Sequence, residues 1–551
     1  MKPLAEFVQK RLVAMLGCLL LPAVLASQSP PQAPKIHVTT HLVQIGIIVR
    51  DKNGPVVGLS KDDFVVIDHG KPQKISVFTA ESTASAPQGS PPEGSRPQSL
   101  LPNTFSDLPQ VSGNTVRSVT IVLLDNLNTL SGNGHEGYET SPWWMEDLAL
   151  TNAKAHLIEF IKTMDPKDRV AIYGLSDGLH VLCDFTNQRD RLLAILKHYD
   201  TTSRTNRDEV EPGKWHTPVP EEFNPDLEKQ ALELAGITNQ RRAAQTMAAL
   251  QSIASHVANI PGRKNLVWLT ANLPFSGVAL ARMLGPAQIA AYPVDGRALL
   301  TRGTPENQWE IDDQLSGVLG LGMPAQSSQP IGIDTMQKLA EETGGRAFVN
   351  TNDLTRAIRE AVEDSAVTYT LGFYINSDSL DGKFHELKVR AKQAGLNLRY
   401  PKGYYAFKDA QATQEDRHNG YLVAIQSPLE SSSIPVTMRV VRVEKPLQHC
   451  LSLFGSIDIR KLRFAQSDGS HKGAVEVATI EQDETGKILR QSASRINFDF
   501  SEAKYSGYLK TGFPFHQFVQ PQAGVTTLRI VVEDSNTAEV GSLIIPLSQV
   551  N

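Results

Sequence analysis

The chain has 551 residues, a length that fits about three or four domains. Its formal charge of -5, from 54 basic against 59 acidic side chains, leaves no basic footprint and excludes nucleic acid as the expected partner. Cys18, Cys183 and Cys450 are too few for a disulfide framework, so each fold must stand on its own apolar core.

Lys2, Lys10 and Arg11 precede an apolar run from Leu12 to Leu25 that is short for a membrane span. Val24-Leu25-Ala26 then offers small residues where a signal peptidase cuts, which predicts a signal peptide over residues 1–26. Cys18 sits inside the apolar run instead of closing it, against the lipoprotein pattern. The expectation is export by the general route to a secreted or periplasmic location, with no transmembrane segment after signal removal. Residues 27–35 form a proline-rich leader.

Val43, Ile45, Ile47 and Val49 alternate at period two and predict a half-buried strand, ended by the turn Asp51-Lys52-Asn53-Gly54. Ser60 with Asp63 starts a short helical turn. Val65 to Ile67 and Ile75 to Phe78 flank the turn Asp68-His69-Gly70-Lys71, so residues 36–80 read as a small β-domain. Residues 81–117 are rich in Ser, Pro and Gly, too poor in apolar surface to order themselves, and read as a linker.

Residues 118–375 alternate strands and helices. Val119 to Leu124 is apolar or β-branched without alternation, the mark of a strand buried on both faces, and it stops at Asp125. A helix follows with Ala153, Leu157, Phe160, Ile161 and Met164 on one face. Val170 to Tyr173 is the next strand, and Leu179 to Phe185 pairs with it. After the charged stretch 200–226 comes a stripe of Met247, Leu250, Ile253, Val257 and Ile260. Leu266 to Leu269 and Ile289 to Val294 are buried strands, Gly344-Gly345 closes a helix, and Leu354, Ile358 and Val362 face inward on the last one. The fold class is therefore α/β, a doubly wound and mostly parallel sheet. Residues 376–408 read as its β extension, 409–419 as a second linker, and 420–551, with short strands at regular spacing, as a C-terminal β-sandwich.

Ligands in open α/β sheets bind at carboxyl strand ends. Three such ends matter here: Asp125 with Leu127 and Thr129, Thr186, and Thr270-Ala271-Asn272. Over roughly 118–365 they resemble a von Willebrand factor type A (VWA) domain. That family holds Mg²⁺ or Mn²⁺ at an adhesion site made of Asp-x-Ser-x-Ser, a distant Thr and a second Asp. The resemblance assigns Asp125 and Thr129 to the first motif and Thr186 to the distant threonine. Leu127 replaces a serine, and Ala271 stands where the second aspartate belongs. Hard cations need several oxygens, so the expectation is no resident cofactor and at most weak Mg²⁺ or Mn²⁺ binding. The competing reading makes Asp125 a buried hydrogen-bond acceptor for its own loop. Asn126 and Asn128 are placed to reshape this site.

The resemblance extends to the VWFA-related acidobacterial family. It rests on Val49-Arg50-Asp51-Lys52-Asn53-Gly54, Gly58 to Phe64, Gly70-Lys71-Pro72-Gln73 and Leu124 to Thr129. Further segments are Arg263 to Leu269, Tyr292-Pro293-Val294-Asp295, Tyr369 to Tyr374 and Lys402-Gly403-Tyr404-Tyr405, so that about 36–408 is covered. It implies an exported protein built around a VWA domain.

Gly174-Leu175-Ser176-Asp177-Gly178 matches the Gly-x-Ser-x-Gly pattern of hydrolases. A nucleophile elbow needs a helix after the serine, whereas Leu179 to Phe185 reads as a strand, so the motif is expected to be a hairpin turn. His135-Glu136 lacks the second histidine of a zinc-protease helix. The loop Leu130 to Glu146 carries His135, Tyr138, Trp143 and Trp144 near the end of the central strand. Those aromatics either anchor a binding surface, together with Asn126 and Asn128, or pack down over the sheet. The functional expectation is an exported, non-enzymatic protein that contacts a protein or cell-envelope component. The alternatives are a hydrolase using Ser176 or the His135 loop, and a scaffold whose outer β-domains bind while the VWA domain is a spacer.

Overall fold

The structure is a computed structural model that describes residues 40–82, 102–108, 119–129, 143–199, 225–270, 273, 280, 283–296, 332–364, 366–376, 379–406, 413–443, 450–467 and 469–550. The signal peptide and leader expected at 1–35 lie outside the described residues. Among those described, no helix is long and apolar enough to cross a membrane.

The chain is a mixed α/β protein with one largely parallel sheet and several antiparallel ones. The uninterrupted apolar runs form the parallel sheet, in the order Ile289–Asp295, Lys264–Thr270, Val119–Asp125, Val170–Leu175, Leu179–Thr186. The first four run parallel, and the last is an antiparallel edge strand. Every residue of Val119–Asp125, Lys264–Thr270 and Ile289–Asp295 is buried, as strands covered on both faces require. Ile121 and Leu123 share a core with Leu250 and Ile253 of the helix Pro225–His256 and with Val257 just beyond its end. Val122 and Leu124 face Leu157, Ile161 and Ile358 on the opposite side. Helices thus cover both faces, and Asp125 ends the middle strand where the central apolar layers meet. The helix Ile333–Thr343 stops at Gly344, whose φ of 74° is left-handed. A Cβ on the next residue, Gly345, would lie 1.8 Å from the Ala291 oxygen, so only glycine lets this turn touch the sheet.

Segments far apart in sequence build the next layer. Thr40–Asp51, Val77–Ser82, Val367–Asn376 and Asn397–Arg399 share one sheet, and Phe64–Asp68, Lys71–Gln73, Phe384–Ala391 and Gly403–Tyr405 share another. Ile47, Phe64, Tyr369, Phe373 and Val389 form the core between them. The β-domain expected at 36–80 is therefore, over its described residues from Thr40 on, half of a sandwich completed by strands between Val367 and Tyr405, and Val367–Asn376 pairs with Val77–Ser82 instead of extending the parallel sheet. Alternation tells which face a strand buries and says nothing of its partner.

The C-terminal sandwich packs Val436–Val443, Cys450–Ile457 and Phe513–Val519 against Ser470–Gln482, Thr527–Asp534 and Val540–Pro546. Two stretches read as linkers belong to it. Thr104–Ser106 is an edge strand on Val436–Val443, and Gln414–Gln426 is a helix opened by the Thr413/Asp416 capping box.

Asp107 follows that edge strand fully buried, both carboxylate oxygens 3.0 Å from the Val436 N–H. Burial pushes its pKa up to about 9, against the Val436 bond and with help from Glu430. A carboxyl whose folded pKa is raised contributes stability that is fully present below its unfolded pKa and lost as pH rises through the folded one. Stability should therefore fall by up to ~1.4 kcal/mol per pH unit toward alkaline pH from this group alone. In Asp107→Asn that slope should flatten, read as the difference between wild-type and variant urea midpoints at acidic and alkaline pH. Parallel midpoint curves for the two proteins would refute the assignment.

Candidate functional site

Asp125 is fully buried, and its own chain occupies it. The short helical turn Asn126–Thr129 brings the Asn128 N–H to Asp125 Oδ1 at 2.9 Å and Asn128 Nδ2 to Oδ2 at 2.8 Å. From the neighbouring strand the Trp268 indole N–H donates to Oδ2 at 2.9 Å, and the Thr270 hydroxyl adds another bond. A carboxylate offers about four lone-pair sites, and these four donors fill them. The second amide hydrogen of Asn128 goes to Thr246 Oγ1 at 3.0 Å, whose own hydroxyl donates to the Arg242 carbonyl at 2.8 Å. Burial raises the pKa of Asp125, with the four hydrogen bonds opposing it. Leu127 points into the apolar layer below.

This geometry suits a polar staple that ties the strand end to its loop, the long helix and the next strand. It does not suit a cation, which needs open oxygens. Asn126 and Asn128 are 3% and 1% exposed, so neither lies on a binding surface. The Tyr199 hydroxyl reaches Asn126 Oδ1 at 3.4 Å.

Thr186 does not join Asp125. The edge strand is antiparallel: Leu179 pairs with Leu175, beside Asp125, while Thr186 pairs with Val170 at the other end. At ~3.3 Å per residue the five-residue offset is about 16 Å, too far to share an ion. The Thr186 hydroxyl instead accepts the Gln188 N–H at 3.1 Å. Thr246 is the buried threonine that reaches the site, through Asn128. Thr129 ends the helical turn, and its side chain lies outside the described residues, as do His135, Tyr138 and Ala271. Trp143 and Trp144 begin the helix Trp143–Thr163 instead of a loop, their side chains also outside the description.

Ser176-Asp177-Gly178 is the turn of the hairpin between Val170–Leu175 and Leu179–Thr186. The Ser176 hydroxyl donates to Asp177 Oδ1 at 3.0 Å, and His180 Nε2 lies 2.6 Å from that same oxygen. The carboxylate thus stands between serine and imidazole, where a nucleophile would need the imidazole itself.

An open cleft of about 700 Å³ lies where the end of the long helix Pro225–His256 meets the Gln414–Gln426 helix and Thr537–Val540. Its walls mix Ser252, Ser255 and Asn419 with Leu429 and Val540.

A surface that sequence reading missed lies on the C-terminal sandwich. Phe454 and Phe518 are 50% and 60% exposed on the outer face. His516 stands between them, its ring 4.5 Å from each, stacked on Phe454 and edge-on to Phe518. Register continues the row to the exposed Arg439, which pairs with Phe454. The signal was available: alternation along Phe513-Pro514-Phe515-His516-Gln517-Phe518 puts an aromatic on each face of the strand.

No protein-family model matches the chain, and no curated protein matches it in sequence. Among solved structures it is similar to an aerotolerance-related membrane protein from Bacteroides fragilis, at 12% identity over 44% of this chain and 98% of that one, with a TM-score of 0.24. It is similar to the conserved hypothetical protein BatB from Bacteroides thetaiotaomicron at 10% identity, over 45% and 98%, with a TM-score of 0.25. A pilus adhesin, SpaC from Lactobacillus rhamnosus GG, aligns at 8% identity over 85% of this chain and 59% of that one, with a TM-score of 0.23. Similarities this loose transfer no residue role.

Proposed function

We propose that this chain is an exported, non-enzymatic binding protein of the cell envelope, in which a VWA-type central domain is the frame and the C-terminal sandwich makes the contact. The observation that carries the reading is the Arg439, Phe454, His516 and Phe518 row. The inward residues Met438, Val440, Leu451 and Leu453 already fill the sandwich core, so the outward aromatics serve nothing inside it. Clustered aromatics beside an arginine are the composition of interface hot spots. Support for a VWA-type frame comes from the strand-end motif and from the parallel strands covered by helices on both faces. The sealed Asp125 supports binding without a bridging cation, and the Ser176 turn supports a non-catalytic role. Basic, apolar and small residues succeeding one another up to Ala26 support export.

The experiment is affinity capture from an envelope extract with the mature chain, with and without a chelator, against a Phe454→Ser/Phe518→Ser variant. A protein or envelope component should be retained equally with chelator, and about 10–100-fold less by the variant, the loss of two hot-spot side chains. Retention that depends on Mg²⁺, or that is indifferent to both substitutions, would overturn the reading.

A further inference from the structure

The sandwich built from residues near 40–82 and 367–406 holds a second polar cluster, remote in sequence from the strand-end site. Its strand Phe64–Asp68 turns back through His69 and Gly70 into Lys71–Gln73, with φ of 48° and 78° at the two turn residues. Such a two-residue turn needs left-handed backbone at both positions, which histidine tolerates better than most side chains. The His69 N–H donates to the Glu386 carbonyl at 3.2 Å and pins the turn to Phe384–Ala391. That strand carries His385, whose ring centre lies 4.5 Å from that of His69. Asp68, His69 and His385 each offer a ligand atom, all within 4.8 Å of one another.

Neighbouring groups aim these atoms. The Tyr404 hydroxyl lies 3.0 Å from Asp68 Oδ2, where it donates, and 3.3 Å from His385 Nδ1. Asp381 Oδ1 lies 3.1 Å from His385 Nε2, and a neutral ring that gives its proton to this carboxylate carries its lone pair on Nδ1. That nitrogen faces Asp68 Oδ1 at 3.6 Å. Asp68 is 6% exposed, and its Oδ1 is buried without a hydrogen-bond partner. In that tautomer two lone pairs confront each other in a buried place, at a separation too long for a hydrogen bond. Ligand atoms about 2.0–2.1 Å from a tetrahedral ion stand ~3.3 Å apart, close to this spacing.

We propose that Asp68, His69 and His385 form a mononuclear site for a divalent transition cation of the Zn²⁺ type, with Asp381 and Tyr404 orienting the ligands and the fourth position open to water beside the exposed His69. Imidazole nitrogens select such an ion over Mg²⁺. Bound there, it would clamp the turn onto Phe384–Ala391 and leave one exchangeable position for an anionic or carbonyl ligand.

Tag-free mature chain, stripped with a chelator and dialysed, should be titrated with Zn²⁺ by calorimetry and with Co²⁺ by visible absorption. One equivalent of Zn²⁺ should bind at micromolar concentration or below, Mg²⁺ should give no heat, and Co²⁺ should give the intense bands of a four-coordinate site. His69→Gly keeps the left-handed turn and removes one ligand, so its affinity should fall about 100-fold with an unchanged circular dichroism spectrum. His385→Ala should abolish binding. Affinity no tighter than millimolar in the natural chain overturns the proposal, as does Zn²⁺ uptake that His69→Gly leaves unaltered.

Discussion

Asp364→Ala is expected to lower stability by about 3 kcal/mol, because it removes the acceptor shared by a buried polar network. Asp364 caps the helix Leu354–Glu363 at its C-terminal end, where a negative charge opposes the helix dipole. Three donors hold it there. Arg50 Nη1 is 3.0 Å from Oδ1, while Arg399 Nη1 and the Tyr292 hydroxyl, the latter at 3.1 Å, reach Oδ2. Arg263, 3% exposed, donates to the Tyr292 oxygen at 3.1 Å and to the Gly344 carbonyl at 2.6 Å. Arg50 and Arg399 come from the N-terminal sandwich, and Tyr292 and Arg263 from the parallel-sheet domain, so this one carboxylate fastens the two together. The arginines are 30% and 29% exposed at their side chains and can turn to water, which keeps the loss near the lower end for a broken buried pair. Tyr292 is fully buried and has no such escape. Asp364→Asn, which still accepts from Tyr292, should cost about half as much. Urea unfolding checks both; an alanine variant within ~0.5 kcal/mol of the natural chain, the range of ordinary surface changes, would show that the network fastens nothing.

The strands of the parallel sheet were legible because burial on both faces writes itself as an unbroken apolar run, as in Ile121-Val122-Leu123-Leu124. The sandwich around Tyr369 was legible strand by strand and illegible as a unit. Val77–Ser82 finds its partner about 290 residues later, in Val367–Asn376, and no local pattern encodes such a pairing. Thr104–Ser106 was read as linker for a related reason. Its surroundings are poor in apolar residues, yet three residues suffice when an existing sheet edge supplies the hydrogen bonds. The Gln414–Gln426 helix did carry a local sign, Thr413 with Asp416 three residues on, which the polar composition of 409–419 masked.

At the strand end, Asp125 could be found from sequence, but not the groups that close over it. Trp268 counts as apolar in the run Leu266-Val267-Trp268-Leu269, although its one N–H is what occupies Asp125 Oδ2. Thr246 hides within a helical stripe. Thr186 could have been placed correctly: a hairpin between Val170–Leu175 and Leu179–Thr186 necessarily sends its second strand's end away from Asp125. The family resemblance pointed to an adhesion motif, whereas the hydrogen bonds around Asp125 describe a staple.

Asp125→Ala should therefore cost stability, about 3–5 kcal/mol, rather than any ion affinity. It leaves the Trp268 N–H and two Asn128 donors unpaired where water does not reach, each such loss being worth roughly 1–3 kcal/mol. Asp125→Asn keeps one acceptor oxygen and should cost less. Its cost should also depend on pH. The folded pKa of Asp125 is raised by burial, so the stability it contributes is fully present below the unfolded value and declines as pH rises through the folded one. The gap between natural and Asp125→Asn proteins should accordingly be widest in acid and narrow toward alkaline pH. Rebuilding the adhesion motif with Leu127→Ser and Ala271→Asp should not create a Mn²⁺ site, because Trp268 and Asn128 still occupy the carboxylate. Leu127→Ser also removes a core side chain at a cost of about 2–4 kcal/mol. Urea midpoints across pH and Mn²⁺ calorimetry on these proteins decide between staple and seat. Micromolar Mn²⁺ binding by the natural chain, lost in Asp125→Ala without a fall in stability, would make the carboxylate a metal ligand after all.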